Sequence, residues 1–345
     1  MTVQSPNMFG PSGTSKFQQE FGSPTVAVTG VAGFIGSHLA ERLVQLGCSV
    51  IGIDDFDPWY DLSQKRNNLL DVVGNPNFEL VDRALDHETA CAAFSRSSVV
   101  FHLAGRPGVQ DSWGQGFVDS SRRNIELTQQ VFETSVECDV SRVVYASSSS
   151  VYGSGATSLE IVPEPEPISP YGVSKLVGEQ LAHVYRHQGL EITNLRYFTV
   201  YGPRQRPDMA MHRMFESTKP DGPVFVRRGD GLQRREFTYV SDVVSATVAA
   251  GFVAAAADET FDVGGGSSVS LQEVMSLVEE LAGAPMRTEN PTAPAGDPAV
   301  TVARTNKTSD LLGWMPEVDL VNGLSQQCEW HRQRVSSESS MLIAD

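Results

Sequence analysis

The sequence predicts an α/β chain: a doubly wound parallel sheet with a smaller C-terminal substrate domain. Three observations carry that expectation. Short β-branched runs alternate with helical patterns from Thr25 to Phe198, as a parallel sheet with crossover helices requires. The first run is followed at once by three glycines spaced three apart, Gly30, Gly33 and Gly36. After Tyr201 the alternation turns irregular, with breaks at Gly202-Pro203 and between Lys219 and Pro223.

Taken in order, residues 1–23 lack the cationic and apolar segments of a secretory signal and read as a disordered leader. Residues 25–29 form the first strand. The helix after the glycine turn places Ile35, Leu39, Leu43 and Leu46 on one face and stops at Gly47. Residues 50–53 read as a buried strand ending in Asp54, and 78–82, 99–105, 142–146 and 191–198 supply further strands. The proline-rich stretch 163–167 reads as an exposed extended connector. Beyond the irregular segment, 237–240 and 261–263 look like returns to the sheet, on either side of an Ala/Val-rich helix opened by Ser241-Asp242. Ser270 and Glu273 have capping-box spacing, and Leu271, Val274, Val278 and Leu281 give that helix one apolar face.

Composition narrows the function. Lys and Arg number 26 against 42 Asp and Glu, a net charge of −16 that argues against nucleic acid or an anionic membrane as partner. Between Arg204 and Arg235 the balance reverses, eight basic residues against four acidic, which suits a small anion such as phosphate or equally a solvated basic face. Cys48, Cys91, Cys138 and Cys328 lie far apart, with no C-x-x-C and no Cys/His cluster. Neither a metal site nor a disulfide framework is expected, and reduced thiols fit a cytoplasmic protein. No apolar run reaches membrane-spanning length.

Strand, glycine turn, helix, strand and acid together point to a dinucleotide site. The glycines allow a tight turn and close backbone approach, so the helix N-terminus faces a pyrophosphate, while Asp54 can accept hydrogen bonds from a ribose diol. The G-x-x-G-x-x-G spacing differs from the commoner G-x-G-x-x-G. Asp54 and Asp55, with no Arg beside them in sequence, favour NAD over NADP, because a 2′-phosphate would meet repulsion. Asp82 either meets the adenine or is a turn residue. Tyr171 and Lys175, four apart after Pro170, share one helix face, and an ammonium beside a phenol lowers its pKa from about 10 toward neutrality. Such pairs are common on ordinary helices, so the pair gains weight from the serine run 147–150, which falls at a strand's carboxyl end just before that helix.

These residues together resemble the extended short-chain dehydrogenase/reductase family, in its nucleotide-sugar 4-epimerase branch. The matching stretches are TGVAGFIGSH (29–38), Asp54, HLAG (102–105), RRNIELT (122–128), SSSSVYG (147–153), SPYGVSK (169–175), LRYFTVYGP (195–203), REFTYVSD (235–242) and LGWMP (312–316). The resemblance implies a Rossmann-type fold over 24–200, with 236–266 returning to it, a UDP-sugar-binding domain from 201–235 and 267–332, and a polar tail at 333–345. It implies that Gly30, Gly33, Phe34, Ile35, Gly36, Asp54, Asp82, Arg83, Leu103, Ala104 and Asn124 hold tightly bound NAD+ together with Tyr171 and Lys175. Ser148, Tyr171 and Lys175 would be catalytic, and Ser148, Ser149, Thr199, Arg206 and Arg235 would meet the substrate, Arg235 at the UDP pyrophosphate. It further suggests a homodimer.

Thr199 stands where UDP-galactose epimerases carry Asn, and Pro107 where they often carry Lys. Pro294 occupies the place of an expected phosphate-binding Arg, for which Arg227, Arg228 or Arg304 could substitute. The stretch FTVYGPRQRPDMA (198–210) looks like that of UDP-glucuronate 4-epimerases, in which the residues matching Thr199 and Arg206 hold the sugar carboxylate. C4 epimerisation of UDP-glucuronate to UDP-galacturonate through a 4-keto sugar is therefore expected. UDP-glucose/UDP-galactose epimerisation, UDP-glucuronate decarboxylation and a non-catalytic NAD-binding sensor are the alternatives. Ser149 and Ser150, where 4,6-dehydratases need an acid pair, disfavour elimination.

Overall fold

The computed structural model describes residues 8–10, 13–155, 163–227, 229–289 and 299–342, the last eight through their backbone alone. The strands are β1 (Thr25–Thr29), β2 (Ser49–Asp54), β3 (Phe78–Asp82), β4 (Val99–His102), β5 (Arg142–Ser148), β6 (Glu191–Tyr197), β7 (Thr199–Tyr201), β8 (Phe225–Val226), β9 (Arg234–Tyr239), β10 (Thr260–Val263), β11 (Ser268–Ser270) and β12 (Thr288–Glu289). The helices are α1 (Thr14–Phe21), α2 (Phe34–Gln45), α3 (Leu62–Asn67), α4 (His87–Phe94), α5 (Gly116–Ser121), α6 (Leu127–Glu137), α7 (Pro170–Arg186), α8 (Ala210–Ser217), α9 (Val240–Phe252), α10 (Leu271–Ala282), α11 (Asn306–Leu312) and α12 (Leu320–Leu342).

Seven strands form one parallel sheet in the order β10-β6-β5-β4-β1-β2-β3. The chain winds outward from β1 to β3 and then crosses back to β4, so the strand order reverses between β1 and β4. A crevice opens at that switch point, at the carboxyl ends of the strands. Helices cover both faces, which is why β4 and β5 are buried along their whole length and their central residues, 99–101 and 143–146, do not alternate with polar ones.

The sequence pattern is corrected at two places. Residues 237–239 do not return to the large sheet. They belong to β9, which pairs in parallel with β7 and antiparallel with β11 in a separate three-stranded sheet. A β-rich run specifies a strand but not its neighbours; here the rings of Phe237 and Tyr239 pack edge-on against Tyr201 at 6.4 and 5.5 Å, and that contact selects the smaller sheet. The expected disordered leader contains α1. Phe17 is wholly buried, 4.8 Å from the Phe252 ring of α9, and Arg42 on α2 donates to the Phe9 carbonyl at 3.0 Å. Polar residues dominate this segment, yet Phe17 and Phe21 fall on one helical face, and their burial fixes the helix.

The apolar interior falls into a large cluster, a second on the other face of the sheet and a small third around Val151 and Phe198. The large cluster runs from Val26 and Phe101 of the large sheet through Val244 on α9 and Phe261 on β10 to Trp314 and Leu324. Residues on both sides of Tyr201 thus share one apolar cluster. Helix α12 continues through the polar residues after His331 to Leu342. Among the described residues no helix is long and apolar enough to cross a membrane.

Candidate active site

The switch point is a cavity of about 820 Å³. Its floor is the glycine turn between β1 and α2. Gly30 has φ 71°, and a Cβ there would sit 2.8 Å from the Ala104 nitrogen, so only glycine lets the turn lie against the end of β4. At Gly36 a Cβ would stand 2.2 Å from the Gly30 carbonyl oxygen. No side chain caps the start of α2, and Gly33, Phe34 and Ile35 line the cavity, so this helix N-terminus offers its backbone donors to an anion. Asp54, at the end of β2, also lines it. Its two oxygens accept from the Ala32 and Phe56 amides at 3.0 and 2.9 Å, and each keeps capacity to accept from a diol. Burial pushes the Asp54 carboxyl up, opposed by Lys65 3.6 Å away. The donor set fits a dinucleotide: amides for the pyrophosphate, Asp54 for the ribose, with Leu103 and Ala104 in the wall between.

The acid pair does not stand clear of basic groups. Lys65 reaches Asp54 from α3, and Arg123 pairs with Asp55 at 2.9 Å and Asp57 at 2.5 Å. The repulsion argument against NADP therefore weakens.

Opposite the glycines stand Ser148, Tyr171 and Lys175. Ser169 caps α7 by accepting from the Gly172 amide at 3.1 Å, Pro170 occupies the first turn, and Tyr171 and Lys175 consequently face the end of β5. Ser148 and the charge of Arg206 both draw the Tyr171 phenol's pKa down. Burial outweighs them and holds it above the ordinary value. Lys175 lines the same cavity as Tyr171. Its ammonium turns down to the Ala146 carbonyl at 2.9 Å, and burial lowers its own pKa to about 8. Four-residue spacing fixes the face a side chain leaves from, not where a long flexible one ends.

Asn124 is fully buried on a π-helical turn, Arg122–Glu126, that joins α5 to α6. Its Oδ1 accepts from the Arg106 amide at 2.7 Å, and its Nδ2 donates to the Arg106 carbonyl at 2.9 Å and to Ser174 Oγ at 3.0 Å. It thereby ties the loop after β4 to α7. Behind Ser148, Arg196 pairs with Glu179 at 2.6 Å and donates to the Tyr152 hydroxyl at 2.6 Å, which in turn donates to Asp262 at 2.7 Å. This buried network steadies the turn that carries Ser148, Ser149 and Ser150.

The third wall holds Thr199 and Arg206. Asp208 accepts from Arg206 Nε and Nη2 at 3.0 Å each, and the guanidinium lies 5.3 Å from the Trp59 ring. Arg83 lines the cavity. Asp82 and Arg235 do not. Asp82 is exposed and 3.7 Å from Arg66, and Arg235, on β9, donates to the Arg234 carbonyl at 2.9 Å. Pro294 and Arg228 lie outside the described residues. The loop between β2 and α3 went unflagged: Trp59 stacks under Arg106 at 4.3 Å, and Asp57 meets Arg106 at 3.4 Å. Its signal in the sequence was the acidic and aromatic run directly after Asp54.

Residues 26–264 match the model of the NAD dependent epimerase/dehydratase family. The chain belongs to this family. As an NAD-dependent epimerase/dehydratase relative it is 39% identical over 304 residues to the uncharacterized UDP-glucose epimerase YtcB of Bacillus subtilis, covering 88% of this chain and 96% of that one. It is 33% identical over 325 residues to the UDP-glucuronate 4-epimerase of Thermodesulfobacterium geofontis, covering 92% and 98%. Among solved structures, UDP-glucuronic acid 4-epimerase from Bacillus cereus, in complex with UDP-glucuronic acid and NAD, superposes with TM-score 0.84 at 38% identity, covering 90% of this chain and 99% of that one. NAD is accordingly the cofactor of this cavity, and the Rossmann-type reading of the sheet stands.

Proposed function

We propose that the chain is an isomerase that inverts C4 of a UDP-hexose, UDP-glucuronate to UDP-galacturonate above all, through a transient 4-keto sugar. The observation that carries this reading is the convergence of a Ser148–Tyr171 hydroxyl pair and the braced Arg206 guanidinium on one cavity. The Bacillus cereus and Thermodesulfobacterium geofontis relatives, both UDP-glucuronate 4-epimerases, support it.

When bound, NAD+ supplies reversible hydride acceptance at the sugar's C4. Tyr171, as phenolate, takes the C4 hydroxyl proton through or beside Ser148, and the same pair returns it after the keto sugar has presented its other face. Ionisation of Tyr171 is held back by burial and eased by Ser148 and Arg206, so it responds to any further positive charge brought into the cavity. Lys175 keeps donors for the nucleotide beyond its bond to Ala146.

A 4-keto uronate is a β-keto acid and can lose carbon dioxide. With Nε and Nη2 fixed on Asp208, Arg206 has its remaining N–H groups for the substrate carboxylate, and Thr199 adds a hydroxyl. Held there, the carboxylate keeps the C5–C6 bond out of line with the carbonyl π system, so the keto sugar survives to be reduced. Assembly as a homodimer in the cytoplasm belongs to the same reading. Its support is the apolar surface of α5 and α7, where Phe117, Val118, Val173 and Val184 are exposed by 39%, 54%, 41% and 52%.

The test is incubation of the purified protein with UDP-glucuronate, following C4 configuration by NMR and product mass together. Inversion without change of mass is expected. Loss of carbon dioxide would instead make the chain a decarboxylase, and absence of turnover over a panel of UDP-sugars with NAD bound would make it a binding protein.

A further inference from the structure

Outside the cavity lining, folding assembles a set of donor groups that the spacing of the cysteines conceals. On α4, His87 and Cys91 lie one turn apart. At the end of α6, which packs against α4, stand Glu137 and, one residue on, Cys138. His87 Nε2 is 2.7 Å from Glu137 Oε2 and 3.6 Å from Cys91 Sγ. The three donor atoms lie within 4.8 Å of one another. Cys138 stands near enough to Cys91 for the two thiols to influence each other.

We propose that His87, Cys91 and Glu137, with Cys138 as fourth donor, form a surface site for a thiophilic divalent cation of the zinc class. Thiolate, imidazole and carboxylate are all donors that zinc takes. The spacing suits it as well. Bonds of about 2.3 Å to sulfur and about 2.0 Å to nitrogen put tetrahedral S and N donors roughly 3.5 Å apart, close to the observed 3.6 Å. The His87–Glu137 pair sits at hydrogen-bond distance, and side chains exposed by 64% and 46% can open by the few tenths of an ångström a shared cation needs. Charge favours a cation too. The Glu137 and Asp139 carboxylates flank the thiols and attract a dication.

A second cluster, His212, Glu216 and His331, has comparable spacing. There Lys219 already binds both Glu216 oxygens, at 2.8 and 2.7 Å, and neutralises the carboxylate a cation would use. Glu137 lies ten residues along α6 from Leu127 in the cavity wall, about 15 Å at helical rise. The cation would therefore brace α4 against α6 without entering catalysis.

The full chain with its cofactor, its thiols reduced and counted, is titrated with Co(II). Expected are one cobalt per chain, thiolate-to-cobalt charge-transfer absorption, the visible bands of a tetrahedral ion, and their loss on adding Zn(II). Cys91→Ser should weaken cobalt binding at least about tenfold. Cys138→Ser should remove about half of the charge-transfer intensity. His212→Ala should leave both unchanged, and Zn(II) should raise the Tm of the parent but not of Cys91→Ser. No thiolate absorption, an unchanged spectrum in Cys91→Ser, or a spectrum lost only in His212→Ala would each overturn the assignment. Turnover of UDP-sugar by Cys91→Ser, equal to the parent's, establishes that the variant is folded.

Discussion

Arg206→Ala separates two effects that the structure assigns to one guanidinium. Asp208 holds Nε and Nη2 at 3.0 Å each, the Trp59 ring centroid lies 5.3 Å from the guanidinium carbon, and 17% of the side chain is exposed. The fork is thus ordered before substrate arrives, and little side-chain entropy is lost in using it. A charge-assisted hydrogen bond to a carboxylate contributes about 1.5–3 kcal/mol, so truncation should lower kcat/KM for UDP-glucuronate by roughly 10- to 150-fold beyond any loss shared with a neutral sugar. A shared loss is expected as well, because the Arg206 charge also draws down the Tyr171 phenol and so assists proton removal from any sugar. The decisive quantity is the ratio of kcat/KM for UDP-glucuronate to that for UDP-glucose, in the parent, Arg206→Ala and Arg206→Lys. Lysine should recover the shared part but not the ratio, since it is a point charge without the fork. Equal losses with both sugars in Arg206→Ala would remove Arg206 from carboxylate recognition.

Phe17→Ala should cost about 3–5 kcal/mol, because the ring is wholly buried between Phe21 and Phe252; a melt with unchanged Tm would return the segment to the status of a disordered leader. Asn124→Ala removes three buried hydrogen bonds and should lower stability by about 2–4 kcal/mol in urea unfolding, with turnover falling as the loop after β4 loosens; a loss under 0.5 kcal/mol, by order of magnitude, would contradict its tying role. Acid should destabilise the fold through its buried histidines, offset in part by Asp242, whose carboxyl burial pushes up to about 6. Burial lowers His102 to about 3 and His212 to about 4, so between pH 6.5 and 4 the unfolded chain binds protons that the folded one refuses. Unfolding free energy should then fall with falling pH by about 1.4 kcal/mol per pH unit for each ring, and a urea midpoint level from pH 7 to 5 would refute this.

What could be read in the sequence was what lies close along the chain. The glycine turn, Asp54 and the Ser148, Tyr171 and Lys175 set belong to single strand-to-helix units, where periodicity fixes which way each residue faces. Residues joined only by folding were hidden. Arg123 with Asp55 and Asp57, Arg206 over Trp59, and Cys91 beside Cys138 come from separate elements and leave no periodic trace. The strand character of β9 was legible but its partners were not, because alternation specifies a pleated surface without saying which edge it joins. Lys175 shows the same limit at the level of one side chain, its helix face legible and its ammonium's partner not.

Replacing Tyr171 by phenylalanine, with NAD content checked by absorbance, tests the acid–base assignment most directly. The ring and its packing are kept and only the hydroxyl on which Ser148 acts is removed. Inversion of UDP-glucuronate followed by NMR should fall by a factor on the order of 10²–10⁴ with cofactor retained. Inversion at the parent's rate would mean that another group moves the C4 proton.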